Sequence, residues 1–315
     1  MALPALDAVQ RALPGAAIEV VARPSVVPLF SLVPALAGVI ELPPHGGARH
    51  EAIAALRGRS FDAAILLANS FQTALAAWRA GIPERWGYRA DWRVMLLTRG
   101  VARPAGVHQA EYYQYLVRAL GFPTSSRPPH LEVPSALQRA GRDVLAARGW
   151  DGQAPLVALA PGAAYGGAKR WPAASFASLA ERLASDGHAV VMVGSVADAA
   201  VGAEVVKALG GAAPLIDLIG GTDLPTLGGV LANCAVLVTN DSGAMHFAAA
   251  LGVRIVAMFG PTNDRATRPL AASAPEILTH EVWCRPCMLR ECPLTHRCMR
   301  GIGVEEVLAA AMRSL

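Results

Sequence analysis

Asn240-Asp241-Ser242-Gly243 is a small polar turn between an apolar run, Val236 to Val238, and an apolar stretch from Ala244 to Leu251. A strand, a Ser/Gly turn and a helix start together form an anion site, because the first turn of a helix carries N–H groups without intrahelical partners. Ser242 and the amides of Ser242, Gly243 and Ala244 are therefore predicted to receive phosphate oxygens. Asp241 would repel a bare diphosphate, so it reads as a residue that orients the turn or accepts from a sugar hydroxyl. Helix capping explains Asp241 and Ser242 as simply. His246 reads as a hydrogen-bonded residue behind the phosphate pocket or as a core histidine, and Met245 as a wall of a base pocket or as core filler.

A second loop, Pro161 to Pro172, follows another apolar run directly. Its glycines allow close approach of a phosphate, and Lys169 can set a compact positive charge against it. The hydroxyl position of a magnesium-holding P-loop is taken by Arg170, which disfavours that motif. Arg170 serves the same anion or only the surface. Ser195 and Asp198 end a further strand; Asp198 could accept from ribose hydroxyls, or could cap the next helix. Thr262 and Asn263, after the run Arg254 to Phe259, can reach donor or acceptor hydroxyls. Arg85, Trp86 and Arg89 offer an acceptor grip or a polar edge segment. Cys284, Cys287, Cys292 and Cys298 lie within fifteen residues. That spacing allows a structural zinc site, free or redox-sensitive thiols, or disulfides. Cys234, alone in an apolar context, reads as a core thiol.

These loops need rigid elements to aim them. Over the second half, strands are predicted at Leu156 to Ala160, His188 to Val193, Leu215 to Leu218, Val236 to Val238 and Arg254 to Phe259, the last taken as the final clear strand. Helices are predicted at Ala174 to Ser185, Ala199 to Leu209, Asp223 to Asn233 and Ala244 to Leu251. That alternation is a doubly wound parallel sheet. The first half alternates less cleanly, with strands at Ile18 to Ala22, Val39 to Leu42 and Ala63 to Leu67. Its helices are predicted at Ala5 to Ala12, Glu51 to Arg57, Gln72 to Ala80, His108 to Leu120 and Gln138 to Arg148. Two α/β domains are expected, 1–149 and 150–315, the second carrying the cysteine-rich segment 284–298.

Composition bounds the function. The 315 residues are 53% hydrophobic and 17% charged, which supports a large core. The net charge of +4 is mild and its arginines are scattered, so a nucleic-acid module is disfavoured. A phosphorylated substrate or an anionic membrane surface suits such a charge better. No GxGxxG follows an early strand, which disfavours a dehydrogenase. No leader and no spanning run is read, so a cytoplasmic protein touching a membrane from inside is expected.

Three segments, PGAAYGGAKRWP, VMVGSVADA and VTNDSGAMHFAAALGVRIVAMFGPT, resemble the ADP-heptose:lipopolysaccharide heptosyltransferases of glycosyltransferase family 9, most closely the heptosyltransferase II branch. WCRPCMLRECPLTHRCM is similar to a cysteine-rich tail of some members, and the resemblance covers nearly the whole chain. It implies a GT-B architecture of two Rossmann-like domains facing a cleft, the N-terminal one for a lipid-linked inner-core acceptor and the C-terminal one for ADP-heptose. It implies inverting transfer with no required metal, by a monomer. Lys169 would contact the diphosphate, with Asp241 in support. Asp241, Ser242 and Gly243 would bind phosphate and nearby sugar, and Asp198 would take the ribose. Ser195, Ala244, Met245, His246 and Thr262 would complete the donor pocket.

Relatives open with a strand and a Gly-Asp loop before an ALPAL-like helix start, whereas this sequence begins at Met1-Ala2-Leu3-Pro4. The aspartate taken as general base is then expected to be missing, since Asp7 lies inside the following helix. The expectation is a weakly active or poorly stable form. Its rivals are a donor-binding remnant, or a related transferase with another donor or acceptor.

Overall fold

Short apolar runs separated by amphipathic helices force a layered α/β chain, and the computed structural model shows two compact units, Met1–Pro129 and His130–Leu315. It describes residues 1–43 and 47–315.

The first unit opens with α1 (Leu3–Ala12), whose first turn carries Pro4 and whose buried face is Ala5, Ala8 and Val9. β1 (Glu19–Ala22) pairs in parallel with β2 (Gly38–Glu41), across a 3-10 segment at Pro24–Leu32. After α2 (Gly47–Gly58) come β3 (Ala63–Leu66) and α3 (Phe71–Arg79). Ser70 caps α3 by accepting from the Thr73 N–H at 3.3 Å. β4 (Glu84–Tyr88), a 3-10 turn at Arg93–Leu96, β5 (Arg99–Val101) and α4 (Gln109–Ala119) complete the unit. β3, β4 and β5 form one parallel sheet, β1 and β2 a separate one. Ile18 and Ile65 nevertheless pack into one cluster with Ala5, Ala8, Val9 and Val117, which ties both sheets to α1 and α4.

β4 and β5 escape the pattern reading. Glu84-Arg85-Trp86 alternates charge with an aromatic, and only Gly87 and Tyr88 of β4 are buried. Tyr88 is wholly buried and donates to the Tyr112 carbonyl, with the two rings 4.4 Å apart.

The second unit begins earlier than residue 150. α5 (Ser135–Ala146) packs on α8 (Leu224–Leu231), where Gly141 and Gly229 bring the backbones so close that a Cβ on either would overlap the other helix. The Leu131 N–H also donates to the Ala250 carbonyl at 2.8 Å. The compact units therefore divide after Pro129, not after residue 149.

Six parallel strands build one sheet here: β6 (Leu156–Ala160), β7 (Ala189–Met192), β8 (Ile216–Asp217), β9 (Val236–Asn240), β10 (Arg254–Phe259) and β11 (Glu276–Thr279). Their order is β8-β7-β6-β9-β10-β11. Every residue of β6 and β9 is buried, as central strands covered on both faces require. The connecting helices are α6 (Ala173–Ser185), α7 (Ala199–Leu209), α8, α9 (Gly243–Ala250) and the short α10 (Asp264–Thr267). After β11, residues 280–296 hold no helix or strand, and then come α11 (Arg297–Arg300) and α12 (Val304–Arg313). β11 corrects the reading that β10 is the last strand: it is a short edge strand with one buried residue, Leu278. Val307, Leu308, Ala310 and Ala311 place α12 in the core with Phe176, Leu179 and Val256.

Candidate active site

The strand order reverses between β6 and β9, so their following loops open from the same carboxyl edge, the usual ligand position in such sheets. Asn240 closes that junction. Its wholly buried amide donates to the Pro161 carbonyl at 2.8 Å, and its oxygen accepts from the Trp171 N–H at 2.9 Å. One side chain thereby fastens both ends of the lysine loop to the end of β9. Trp171 is also locked, its indole N–H donating to the Ile302 carbonyl at 2.9 Å.

Lys169 and Asp241, 72 residues apart, meet with Nζ 2.5 Å from Oδ2. The Thr262 hydroxyl donates to the same oxygen at 2.7 Å. The side chains of Lys169 and Asp241 are 13% and 6% exposed, so this ion pair is largely withdrawn from water. The ammonium neutralises a carboxylate that would otherwise repel a diphosphate. Nζ also lies 4.8 Å from the centroid of Tyr165, and the Arg290 guanidinium lies 5.3 Å from the same ring. The structure thus joins three predicted residues, Lys169, Asp241 and Thr262, and adds Tyr165.

Ser242 caps α9 by backbone geometry alone. Its hydroxyl lies 3.1 Å from the Thr239 hydroxyl and makes no capping hydrogen bond. The amides of Gly243 and Ala244 begin that helix at the same edge, as the anion reading requires. Met245 is wholly buried, in the interior. His246 is half-buried and has a partner. Asn263 caps α10 by accepting from the Arg265 N–H at 3.1 Å.

Ser195 and Asp198 form a reciprocal capping box, Asp198 Oδ2 accepting from the Ser195 N–H at 2.9 Å and its hydroxyl at 2.7 Å. The carboxylate also lies over Gly162, where a Cβ would overlap it. The predicted ribose acceptor therefore borders the lysine loop while serving as a cap. Arg85 is engaged with neighbouring backbone: it donates to the carbonyls of Ile82 (2.5 Å), Pro83 (2.8 Å) and Leu96 (2.7 Å). It braces a turn, and the grip on an acceptor read for it has no support from this geometry.

The cysteine-rich segment packs onto the lysine loop, a contact no spacing rule announces. The Ala168 N–H donates to the Arg290 carbonyl at 2.9 Å, the Gly167 N–H to Glu291 Oε1 at 2.9 Å, and the Tyr165 hydroxyl to the Met288 carbonyl at 2.8 Å. His296 Nε2 lies 2.5 Å from the Ala168 carbonyl. Gly166, at φ 155°, leaves no room for a Cβ beside the Arg290 carbonyl. Arg285 anchors the segment from its other side, donating to the Gly260 carbonyl at 3.0 Å and pairing with Asp264 at 2.7 Å.

All five cysteines are free. Burial pushes the Cys298 thiol up, with smaller contributions from Cys292, Cys284 and Cys287, so these three lie within electrostatic reach of Cys298. Among the described residues no three His, Cys, Asp or Glu side chains converge as metal ligands. Burial pushes the Cys234 thiol up as well, but the residue is half-buried and outside the core, not the core thiol its apolar context suggests.

The family description "Glycosyltransferase family 9 (heptosyltransferase)" matches residues 49–297. The chain is 35% identical to lipopolysaccharide heptosyltransferase 2 of Escherichia coli over 274 residues, 83% of this chain and 79% of that protein. It is 34% identical to lipooligosaccharide heptosyltransferase 2 of Haemophilus influenzae over 280 residues, with the same shares covered. The solved structure of the E. coli ADP-heptose LPS heptosyltransferase II superposes with a TM-score of 0.84 at 29% identity, over 99% of this chain and 93% of that one.

Proposed function

Because the chain belongs to glycosyltransferase family 9, the heptosyltransferases, we propose that it moves heptose from ADP-heptose to the inner core of lipopolysaccharide. The second unit holds the donor and the first the lipid-linked acceptor. The observation that carries this reading is the Lys169–Asp241–Thr262 cluster, set where the strand order reverses and beside the amides that open α9.

In the reaction an acceptor oxygen forms a bond to the anomeric carbon, with inversion, as the bond from that carbon to the diphosphate oxygen breaks. Negative charge grows on the departing ADP. The Lys169 ammonium and the amides of Ser242, Gly243 and Ala244 stabilise it, so the charge a metal would supply comes from the protein. Asp241 holds the ammonium in place and offers its second oxygen to a sugar hydroxyl. Asp198 accepts from the ribose. The acceptor hydroxyl gives its proton to a general base. The protein works as a monomer on the cytoplasmic side of the membrane that carries its acceptor. Among the described residues no helix is long and apolar enough to cross a membrane.

The test is ADP release from ADP-heptose with a heptosylated core acceptor. Lys169→Met is expected to lower kcat about 10²–10³-fold, the scale for removing one donor to a developing oxyanion. Transfer at the wild-type rate by Lys169→Met would overturn the assignment. ADP binding without any transfer by the unaltered chain would instead favour a donor-binding protein.

A further inference from the structure

Three large apolar side chains stand outward on one turn of the first unit. Trp92 is 87% exposed, Met95 77% and Val94 51%. Between them Arg93 is wholly buried, donating to the carbonyls of Tyr88 at 2.9 Å and of Ala68, and to Asn69 Oδ1 at 3.4 Å. Arg85 braces the far end through the Leu96 carbonyl. Asp91 and Trp92 both hold left-handed backbone, at φ 46° and 60°. That conformation is unfavourable for residues with a side chain, most of all for a bulky one. A buried guanidinium and a strained backbone therefore support a turn whose outer face is tryptophan, valine and methionine. Single exposed apolar residues need no explanation, but three within four residues on a braced turn do.

The charge around the turn is one-sided. Arg89, Arg99 and Arg103 are exposed, and Asp91 is the one acid between residues 89 and 103. Arg103 is close enough to Arg93 for its charge to act there.

We propose that the Trp92–Met95 turn docks the protein on an anionic lipid bilayer. The indole and thioether enter the boundary between headgroups and acyl chains, and Arg89 and Arg103 face lipid phosphates. Tryptophan suits that boundary because one end of its ring system is apolar and the other donates a hydrogen bond. Basic residues beside it add attraction to anionic lipid. A four-residue turn is far smaller than the roughly 800 Å² per partner that a stable protein contact needs, which favours the bilayer over a protein. The inference concerns where the chain sits and is read without any sugar substrate, so its failure is distinguishable from failure of the transfer reaction.

The whole chain is sedimented with vesicles of phosphatidylcholine containing about 30% phosphatidylglycerol, and with phosphatidylcholine alone. Binding is expected on the anionic vesicles, weaker on the neutral ones and weaker in high salt. The double variant W92S/M95S is expected to lower the partition coefficient at least about tenfold, the scale for withdrawing a tryptophan-sized apolar surface from lipid. Arg103→Gln is expected to lower it about fivefold, the ratio for one basic residue near an anionic surface. These side chains are exposed, so circular dichroism and melting should not change. No sedimentation of the unaltered chain with anionic vesicles would overturn the proposal, as would equal partition of W92S/M95S. A dimer seen by light scattering and broken by W92S/M95S would also overturn it, giving the turn to a second copy.

Discussion

Lys169→Met removes an ammonium that is 13% exposed and leaves Asp241, 6% exposed, with the Thr262 hydroxyl as its remaining donor at Oδ2. At the observed 2.5 Å and an effective dielectric of about 20, the attraction lost is about 7 kcal/mol. Against it stands the cost of withdrawing both ions from water, several kcal/mol each, so the pair as a whole contributes little net stability. Orphaning one ion is another matter, and costs roughly 3–5 kcal/mol. Lys169→Met and Asp241→Asn should each lose about that much. The double variant should lose less than either single one, because no buried charge is left alone. For a unit spanning residues 130–315 each kcal/mol moves the midpoint by roughly 2–4 °C. The single variants should therefore melt roughly 10 °C below the parent. The assay is thermal and urea denaturation of all four proteins followed by circular dichroism. ADP provides a second readout, raising the midpoint of the parent and of Asp241→Asn but not of Lys169→Met. If the two single losses add to the double loss within about 0.5 kcal/mol, the pair is screened by water and the reasoning fails.

Asp223 caps α8 by accepting from the Thr226 N–H at 2.8 Å, and hydrogen bonds from Thr226 hold its carboxyl below the ordinary aspartate range. A lowered folded-state value means the stabilisation is present above the unfolded value and is lost as pH falls through the folded one. Asp223→Ala should cost about 1 kcal/mol at neutral pH and less as pH falls through the carboxyl's folded-state value, by urea titration across pH. A difference independent of pH would mean that the carboxylate's charge plays no part. Thiol alkylation followed by mass mapping should label Cys284, Cys287 and Cys292, which are partly exposed, before the buried Cys298. If the clustered four are protected until a chelator is added, they hold a metal, and the free-thiol geometry does not describe the protein as purified.

The second unit was legible because its central strands are buried on both faces and read as continuous apolar runs; β6 and β10 fall on the predicted residues. The first unit is harder to read because its strands are half-buried, and β4 mixes Glu84 and Arg85 with Trp86. The candidate site divides in the same way. Lys169, Asp241, Ser242 and Thr262 announce themselves as charge or hydroxyl after an apolar run. Asn240 does not, since its role is to reach carbonyls 78 and 79 residues away. The packing of the cysteine-rich segment on Gly167 and Ala168 is invisible for the same reason: backbone amides and carbonyls carry it, and every residue has those. Arg85 shows the converse: of the two readings open for it, the geometry matches the polar edge segment, a conspicuous residue type spent on holding a turn.

The hydrogen bonds from Gly167 to Glu291 and from Trp171 to Ile302 span 124 and 131 residues. During synthesis the ribosome delivers the lysine loop long before the residues that hold it, and contacts of such separation close late. A nascent chain can lay down β6, β7 and β9 and still lack the outer half of the contacts that hold the lysine loop. The lysine loop is consequently among the last parts of the molecule to mature, and a product terminated before Arg290 would carry Lys169 on a loop tied to Asn240 and Asp241 but without its cover from Arg290, Glu291 and Ile302.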